Sequence, residues 1–462
     1  MDQNRSPWIA ELDAARKSHT PNLKTEYDVS IVGGGIAGMM TAYYALKNTN
    51  HSVILVEADR LGHGASGHNG GQMVDYFEKP FSEIVTEYGL PMAIAGQKAV
   101  TSAFDLIEEV FQETKIEIPF ARVTGYAGCT TLEQLLNHLE NKYLKHSGGL
   151  QVEHAMLAEG LIKPADIPEK YAELYEWVPQ QTILDHLETK NPIYIALLKS
   201  RKGTMNSALF VEKLADYLLL TYADRFTIRE HAPVFEVNLY PKEVILETNQ
   251  SKIKSKYAVL CTNGFEGMHI TNEGGLDVNH MFHQNISGVI GYMAGYLETA
   301  EKPPKAVSYF PPSATGSSDD TYFYVTRRNH MWEEIQRSLV TIGGGSEDFH
   351  EELAKYSKHM PYSAAAFKEL DTFLTQTYEE NKNGVDYVFK WHGLMGYTKS
   401  GIRSVGAEPA NGRLLYNLGC NGVGLLPSIY GGKKISEHLT GEPPEMTIFD
   451  PIIQKMAVLM RQ

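Results

Sequence analysis

The sequence predicts an α/β fold carrying a second unit of α+β type, and three observations lead there. Residues 28–57 run as a short apolar strand, a glycine turn, a helix and a second apolar strand. Residues 280–350 alternate apolar and polar positions between turn residues, the pattern of antiparallel strands. Helical patterns, as in 81–116 and 351–382, fill the intervals.

The bulk properties bound the rest. A chain of 462 residues is long enough for a large core and more than one domain. An apolar fraction of 43% and a charged fraction of 21% are those of a globular protein. The net charge is −14, with lysine and arginine dispersed, so no nucleic-acid footprint is visible. Cys129, Cys261 and Cys420 lie far apart without a C-x-x-C pair, which argues against a disulfide scaffold or zinc ribbon and fits a reducing compartment. There is no HExxH metal motif and no catalytic triad. The N-terminal stretch is polar, and no run approaches the ~18 apolar residues of a membrane span. The expectation is a cytoplasmic protein without integral membrane association. Residues 1–25 read as an extension that packs through Trp8.

"YDVSIVGGGIAGMMTAYYALKNTNHSVILVE" carries the sharpest signal. Gly33, Gly35 and Gly38 fall in a G-x-G-x-x-G register between strand and helix. Gly33 permits the tight turn, Gly35 lets backbone approach a pyrophosphate, and Gly38 lets the helix pack on the strand. The N–H groups of a helix that opens at Ile36 and Ala37 attract phosphate. Glu57, followed by Ala58, ends the second strand where a carboxylate can accept hydrogen bonds from ribose hydroxyls. This is a Rossmann-like dinucleotide site.

The motif alone does not separate FAD from NAD. The following stretch, "ADRLGHGASGHNGGQM", replaces the further βαβ repeats of an NAD enzyme. Its glycines, among them Gly70 and Gly71, let backbone run beside an extended ligand, while Ser66 and Asn69 supply small polar groups. An extended FAD asks for such a chain, with Gln72 closing the stretch.

At this point the sequence resembles the FAD-dependent oxidoreductases of the D-amino-acid oxidase and glycine oxidase superfamily. The "GASGHNGG" form looks most like the γ-glutamylputrescine oxidase type. "HAPVFEV" at 231–237 resembles the strand whose valine, here Val234, touches the adenine side. "AVLCTNGF" at 258–265 is similar to the family's second glycine-containing strand end, with Thr262 and Gly264. "WHGLMGYTKSGIRSVG" at 391–406 matches another family segment. "NLGCNGVGLLPSIYGG" from 417 resembles the closing loop, whose Gly422, Val423 and Gly424 lead into a helix aimed at the flavin ring.

The resemblance implies an FAD-binding domain discontinuous in sequence, at 26–115, 203–270 and 391–462. A substrate domain on an antiparallel sheet would then take 116–202 and 271–390. It implies oxidation of a C–N bond in a small amine or amino acid, giving an imine that hydrolyses, with oxygen or another electron acceptor receiving the electrons. A dehydrogenase of the sarcosine or dimethylglycine type, or a flavin-binding subunit without turnover, stays open, as does the oligomeric state.

Several residues carry finer expectations from the same resemblance. Arg327 stands where amino-acid oxidases hold an arginine that forks onto the substrate carboxylate, with Tyr324 beside it on the same strand. Arg328 adjoins it, and strand alternation lets only one of the two face inward. His68 falls where related dehydrogenases attach the flavin covalently, or else only hydrogen-bonds near it. Met395 replaces a flavin-linking cysteine. Cys420 is read as a packing residue near the ring, and Arg403 replaces a common proline. Tyr292, Tyr296, Tyr322 and Tyr324 are divided between pocket lining and sheet packing.

Overall fold

The computed structural model describes residues 4–21, 24, 26–263, 267–278, 285–298, 300–313, 322–349, 355–441 and 444–459. Two sheets organise the chain. The first forms around strand β1 (Glu26–Val32), an apolar run that pairs in parallel with β2 (Val53–Val56) and with β11 (Lys252–Leu260). Helix α2 (Ile36–Asn48) crosses between β1 and β2 and is buried from Ile36 to Leu46. Strand β8 (Phe226–Arg229) extends the parallel side, while β10 (Val244–Thr248), β9 (Val234–Leu239) and β12 (His269–Asn272) extend the other. The end of β11 also pairs with β19 (Asn411–Leu418), which forms a hairpin with β18 (Ser404–Glu408).

Parallel strands need both faces covered, which explains the unbroken apolar character of β1 and β2. Helix α9 (Leu425–Thr440) lies against α2. A β-carbon at Gly432 would sit 2.6 Å from the Met40 carbonyl carbon, so the two helices meet backbone to backbone.

Among the described residues the second sheet has ten strands. Its centre is a run of long antiparallel partners: β17 (Tyr387–Thr398), β13 (Ile286–Glu298), β16 (Ile335–Phe349), β15 (Phe323–Trp332) and β14 (Lys305–Tyr309). Beyond β14 follow β4 (Phe120–Cys129), β7 (Ala196–Met205), β5 (Ala155–Ala158) and β6 (Tyr175–Val178), with β3 (Gln72–Val74) also on β7. Helix α8 (Ala364–Thr377) covers one face, stacking Phe373 on Phe323 with ring centres 4.1 Å apart.

Two boundaries differ from the sequence expectation. Position 391 falls inside β17, which pairs with β13 along its whole length, so the 391–398 segment belongs to the second sheet. The helix expected over 351–382 is confined, among the described residues, to 364–377, where the Ser363 hydroxyl accepts the Ala366 N–H as its cap. Among the described residues no helix is long and apolar enough to cross a membrane.

Candidate cofactor and substrate site

The glycine turn after β1 is closed by backbone contact. Gly33 has φ +110°, and a β-carbon there would lie 2.6 Å from the Cys261 carbonyl oxygen. Only glycine takes that conformation at no steric cost. Gly38 packs on the Gly33 carbonyl, which leaves no room for a side chain. Helix α2 then opens at Ile36, with Gly35 as its cap. The Ser66 hydroxyl accepts the Ile36 N–H at 2.9 Å. Helix geometry leaves the N–H groups of Ala37 and Gly38 without an intrahelical acceptor, and the helix dipole points its positive end at them.

Glu57 stands beside this turn. Its carboxylate accepts the Gly34 N–H at 2.6 Å and the Asp59 N–H at 2.9 Å. Burial pushes its pKa above the ordinary carboxylate value, against the pull of those hydrogen bonds. Ala58 is exposed next to it. The Ala232 N–H donates to the Glu57 carbonyl at 2.9 Å, which brings Val234, the first residue of β9, to the same strand end. On the other side, the Thr262 hydroxyl is buried with no hydrogen-bond partner. Gly264 lies outside the described residues. An open helix N-terminus, a carboxylate within reach of it and an orphaned hydroxyl at the neighbouring strand end form the polar set an adenine dinucleotide requires, so the residues fit FAD.

The glycine-rich loop turns out to serve the N-terminal extension as well. Trp8 is fully buried, and its indole N–H donates to the Asn69 carbonyl at 2.5 Å. A β-carbon at Gly71, where φ is +65°, would meet the Trp8 ring at 2.5 Å. Gly67 backs onto Ile9, and the Ser6 hydroxyl donates to the Gly67 carbonyl. Asn69 is wholly engaged in shaping the loop. Its amide donates to Ala65 and Ser66 carbonyls and to the Ser207 hydroxyl, while its oxygen accepts the Gly71 N–H. Gly70 lies under the Tyr324 ring. His68 is half-buried; its Nδ1–H donates to the Gly64 carbonyl at 3.0 Å, and burial pushes the imidazole pKa down to about 4. Its backbone rests on Gly393 of β17. Gln72 points into the second sheet, donating to Thr326 and accepting from Lys202.

The closing loop at 419–424 is held from beneath. Arg403, fully enclosed, donates to the Asn417 side chain, the Asn417 carbonyl and the Gly419 carbonyl. It therefore supports the loop rather than facing a substrate. The Cys420 N–H donates to the Asn263 side chain at 2.9 Å, tying the loop to the end of β11. Gly422 is exposed, Val423 and Gly424 are half-buried, and α9 begins one residue later.

Between the two loops lies a group of side chains that sequence reasoning did not single out. Glu78 is half-buried and accepts a hydrogen bond from the Tyr322 hydroxyl at 3.2 Å. A β-carbon at Gly422 would lie 3.0 Å from the Tyr397 hydroxyl oxygen and 3.4 Å from the Glu78 carboxyl carbon. Lys202, 1% exposed, donates to Gln72 and to Ser308, each at 2.9 Å. Burial pushes the Glu78 acid up to about 7 and the Lys202 ammonium down to about 7. No local signal marks them: "YFEKP" and "SRKGT" read as ordinary polar stretches. A separate cavity of about 470 Å³, lined by Tyr194, Phe323, Lys368 and Phe373, lies on the side of β15 to which Phe323 points, opposite Tyr324.

Both arginines of β15 are paired within the protein. Arg327 forks onto Glu188 with both contacts at 2.8 Å, and its Nε–H donates to the Pro303 carbonyl. Its planar donor set is spent within the protein, on the face of β15 away from Gly70. Arg328 is closed as well, donating to Glu11 at 2.8 Å and lying 4.6 Å over the Trp8 ring. Tyr292 and Tyr296 are buried and bonded to Glu347 and Asn381, whereas Tyr322 and Tyr324 are half-buried beside Glu78 and Gly70. Met395 is half-buried and lies against Gly291 on β13.

Comparisons with known proteins bear on family and fold. A sequence family described as "DAO: FAD dependent oxidoreductase" matches residues 28–438. The gamma-glutamylputrescine oxidoreductase of Escherichia coli (strain K12) is 32% identical over 119 residues, 26% of this chain and 28% of that protein. The probable oxidoreductase OrdL of Haemophilus influenzae is 30% identical over 112 residues, 24% of this chain and 25% of that protein. The chain thus aligns with little more than a quarter of the length of these relatives. Among solved structures, glycine oxidase from Geobacillus kaustophilus superposes with a TM-score of 0.67 at 16% identity, covering 92% of this chain and 98% of its own. L-proline dehydrogenase from P. horikoshii gives 0.68 at 13% identity, covering 94% and 99%.

Proposed function

The chain belongs to the DAO family of FAD-dependent oxidoreductases, and from that membership we propose that it oxidises a carbon–nitrogen bond of a small amine or amino acid. The observation that carries the reading is the placement of half-buried side chains, Glu78, Tyr322, Tyr324 and Tyr397, between a dinucleotide cradle and the loop that opens α9. When bound, FAD supplies the acceptor for a hydride from the carbon that bears nitrogen. The imine released hydrolyses in water, and oxygen or another acceptor restores the cofactor. The names of the matched oxidoreductase and of the solved glycine oxidase support an amine or amino acid as the substrate class.

The chain's own residues bind and orient. With FAD bound, the Ala37 and Gly38 N–H groups and the α2 dipole would hold the pyrophosphate, Glu57 the ribose, and Thr262 a polar atom beside them. The α9 N-terminus at Val423 and Gly424 would offer positive potential to a bound flavin. Tyr324, over Gly70, bounds the substrate side.

The test begins with purified protein under anaerobic conditions, titrated with a panel of amines and amino acids. The yellow of the oxidised flavin should fade with at least one of them, and a flavin untouched by the whole panel overturns the reading. Acid precipitation then separates two states of the cofactor. A dissociable flavin colours the supernatant; attachment through His68, whose Nε2 is left by the Gly64 contact, colours the pellet.

A further inference from the structure

Among the described residues, the Glu78 carboxylate approaches the space between the two loops. The three arginines singled out from the sequence are all engaged elsewhere: Arg327 on Glu188, Arg328 on Glu11, Arg403 on Asn417 and Gly419. The nearby cation, Lys202, is 1% exposed and donates to Gln72 and Ser308, behind the wall. Its ammonium also lies 5.7 Å from the Tyr76 ring centre. Glu78 differs from all of these. It is half-buried, approaches the exposed Gly422, and has one protein hydroxyl, that of Tyr322, on its carboxylate.

Its surroundings are aromatic. Tyr322 and Tyr324 have ring centres 6.0 Å apart, and Tyr397 reaches Gly422 from the other side. A carboxylate among tyrosine rings attracts a cation twice, by charge and by the ring faces. A substrate carboxylate placed there meets repulsion from an ionised Glu78, while the guanidinium groups of Arg327, Arg328 and Arg403 are spent on other partners.

We propose that Glu78, with Tyr322 and Tyr397 beside it, receives a cationic nitrogen of the substrate, so that the protein prefers amines lacking a carboxylate on the oxidised carbon over α-amino acids. The inference rests on the amine or amino-acid reading above and narrows it. Burial raises the Glu78 acid toward neutrality against the pull of the Tyr322 hydroxyl and the Lys202 charge. An incoming ammonium adds to that pull and favours the ionised carboxylate.

Two isosteric probes test this without turnover. tert-Butylammonium has no hydrogen on the carbon bearing nitrogen, so it cannot reduce the flavin; pivalate has the same shape and the opposite charge. Each is titrated into the holoenzyme and followed by the visible difference spectrum of the flavin. The ammonium probe should perturb the spectrum saturably and at least tenfold more tightly than pivalate. Glu78→Gln should weaken it by about tenfold or more, the loss of one charge-assisted contact, and Tyr322→Phe by less. Tighter binding of pivalate, or an unchanged titration in Glu78→Gln, overturns the proposal. If Glu78→Gln does not retain flavin, the two probes on the unaltered protein decide. A holoenzyme that binds tert-butylammonium through Glu78 but is bleached by no amine or amino acid keeps this inference and loses the broader reading. One bleached only by α-amino acids does the reverse.

Discussion

At the scale of single residues, Arg327 shows how far chemistry depends on the partner a side chain finds. Its guanidinium is 5% exposed and meets Glu188 in a two-pronged contact, with Lys305 3.1 Å from the same carboxylate. Substituting methionine removes the fork and leaves Lys305 to hold Glu188. Charged hydrogen bonds are worth about 1.5–3 kcal/mol; the Glu188 side chain is 38% exposed, so a loss of roughly 2 kcal/mol is expected. Arg327→Met should therefore lower the thermal midpoint while flavin content and substrate affinity stay unchanged. A large rise in KM with normal stability would restore the arginine to the substrate. Glu78 is the complementary case, a residue with no sequence signature whose surroundings make it informative.

At the scale of elements, the N-terminal extension behaves as part of the cofactor loop. Trp8 fills the space that Gly71 leaves and hydrogen-bonds Asn69, so the loop from Ser66 to Gln72 is set from both sides. Trp8→Ala removes one of the two largest fully buried side chains among the described residues, at a cost of about 3–5 kcal/mol for such a core truncation. Flavin should be lost on gel filtration from the variant and retained by the unaltered protein. The same extension carries an acid-sensitive contact. Burial raises the Glu11 pKa, but the His330 hydrogen bond and the Arg328 charge outweigh it and hold the pKa at about 2. A carboxylate depressed on folding stabilises the protein above its ordinary value of 4.5, and that contribution fades as pH falls from 4.5 toward 2. Melting curves across that window should steepen their decline, and Glu11→Gln should flatten it.

At the scale of the whole molecule, the glycine-rich loop touches β17 of the second sheet at Gly393 and the first turn of α2 at Ile36. The 419–424 loop bonds Asn263 after β11, so a ligand gripped by the two loops stabilises elements of both sheets. FAD added to apoprotein should raise the thermal midpoint in a concentration-dependent way, by about 2.7 kcal/mol of stability at a hundredfold excess over Kd. NAD at the same concentration should leave the midpoint where it was. The sequence by itself determined the βαβ unit and its turn, because Gly33, Gly38 and the apolar runs of β1 and β2 encode backbone geometry within thirty or so consecutive residues. It also determined the strand character of the second sheet, although the central residues of β15 and β16 are buried on both faces. It assigned the loop glycines to a flavin alone, since Trp8 and Ile9, which occupy the space at Gly71 and Gly67, lie some sixty positions earlier in the chain. Only the tertiary structure decided which face of β15 each arginine takes, that Glu188 closes on Arg327, and that Glu78 stands against Gly422. Backbone conformation is specified by neighbours along the chain. The partners of a long charged side chain are set by packing between segments more than a hundred residues apart, and no local pattern records them.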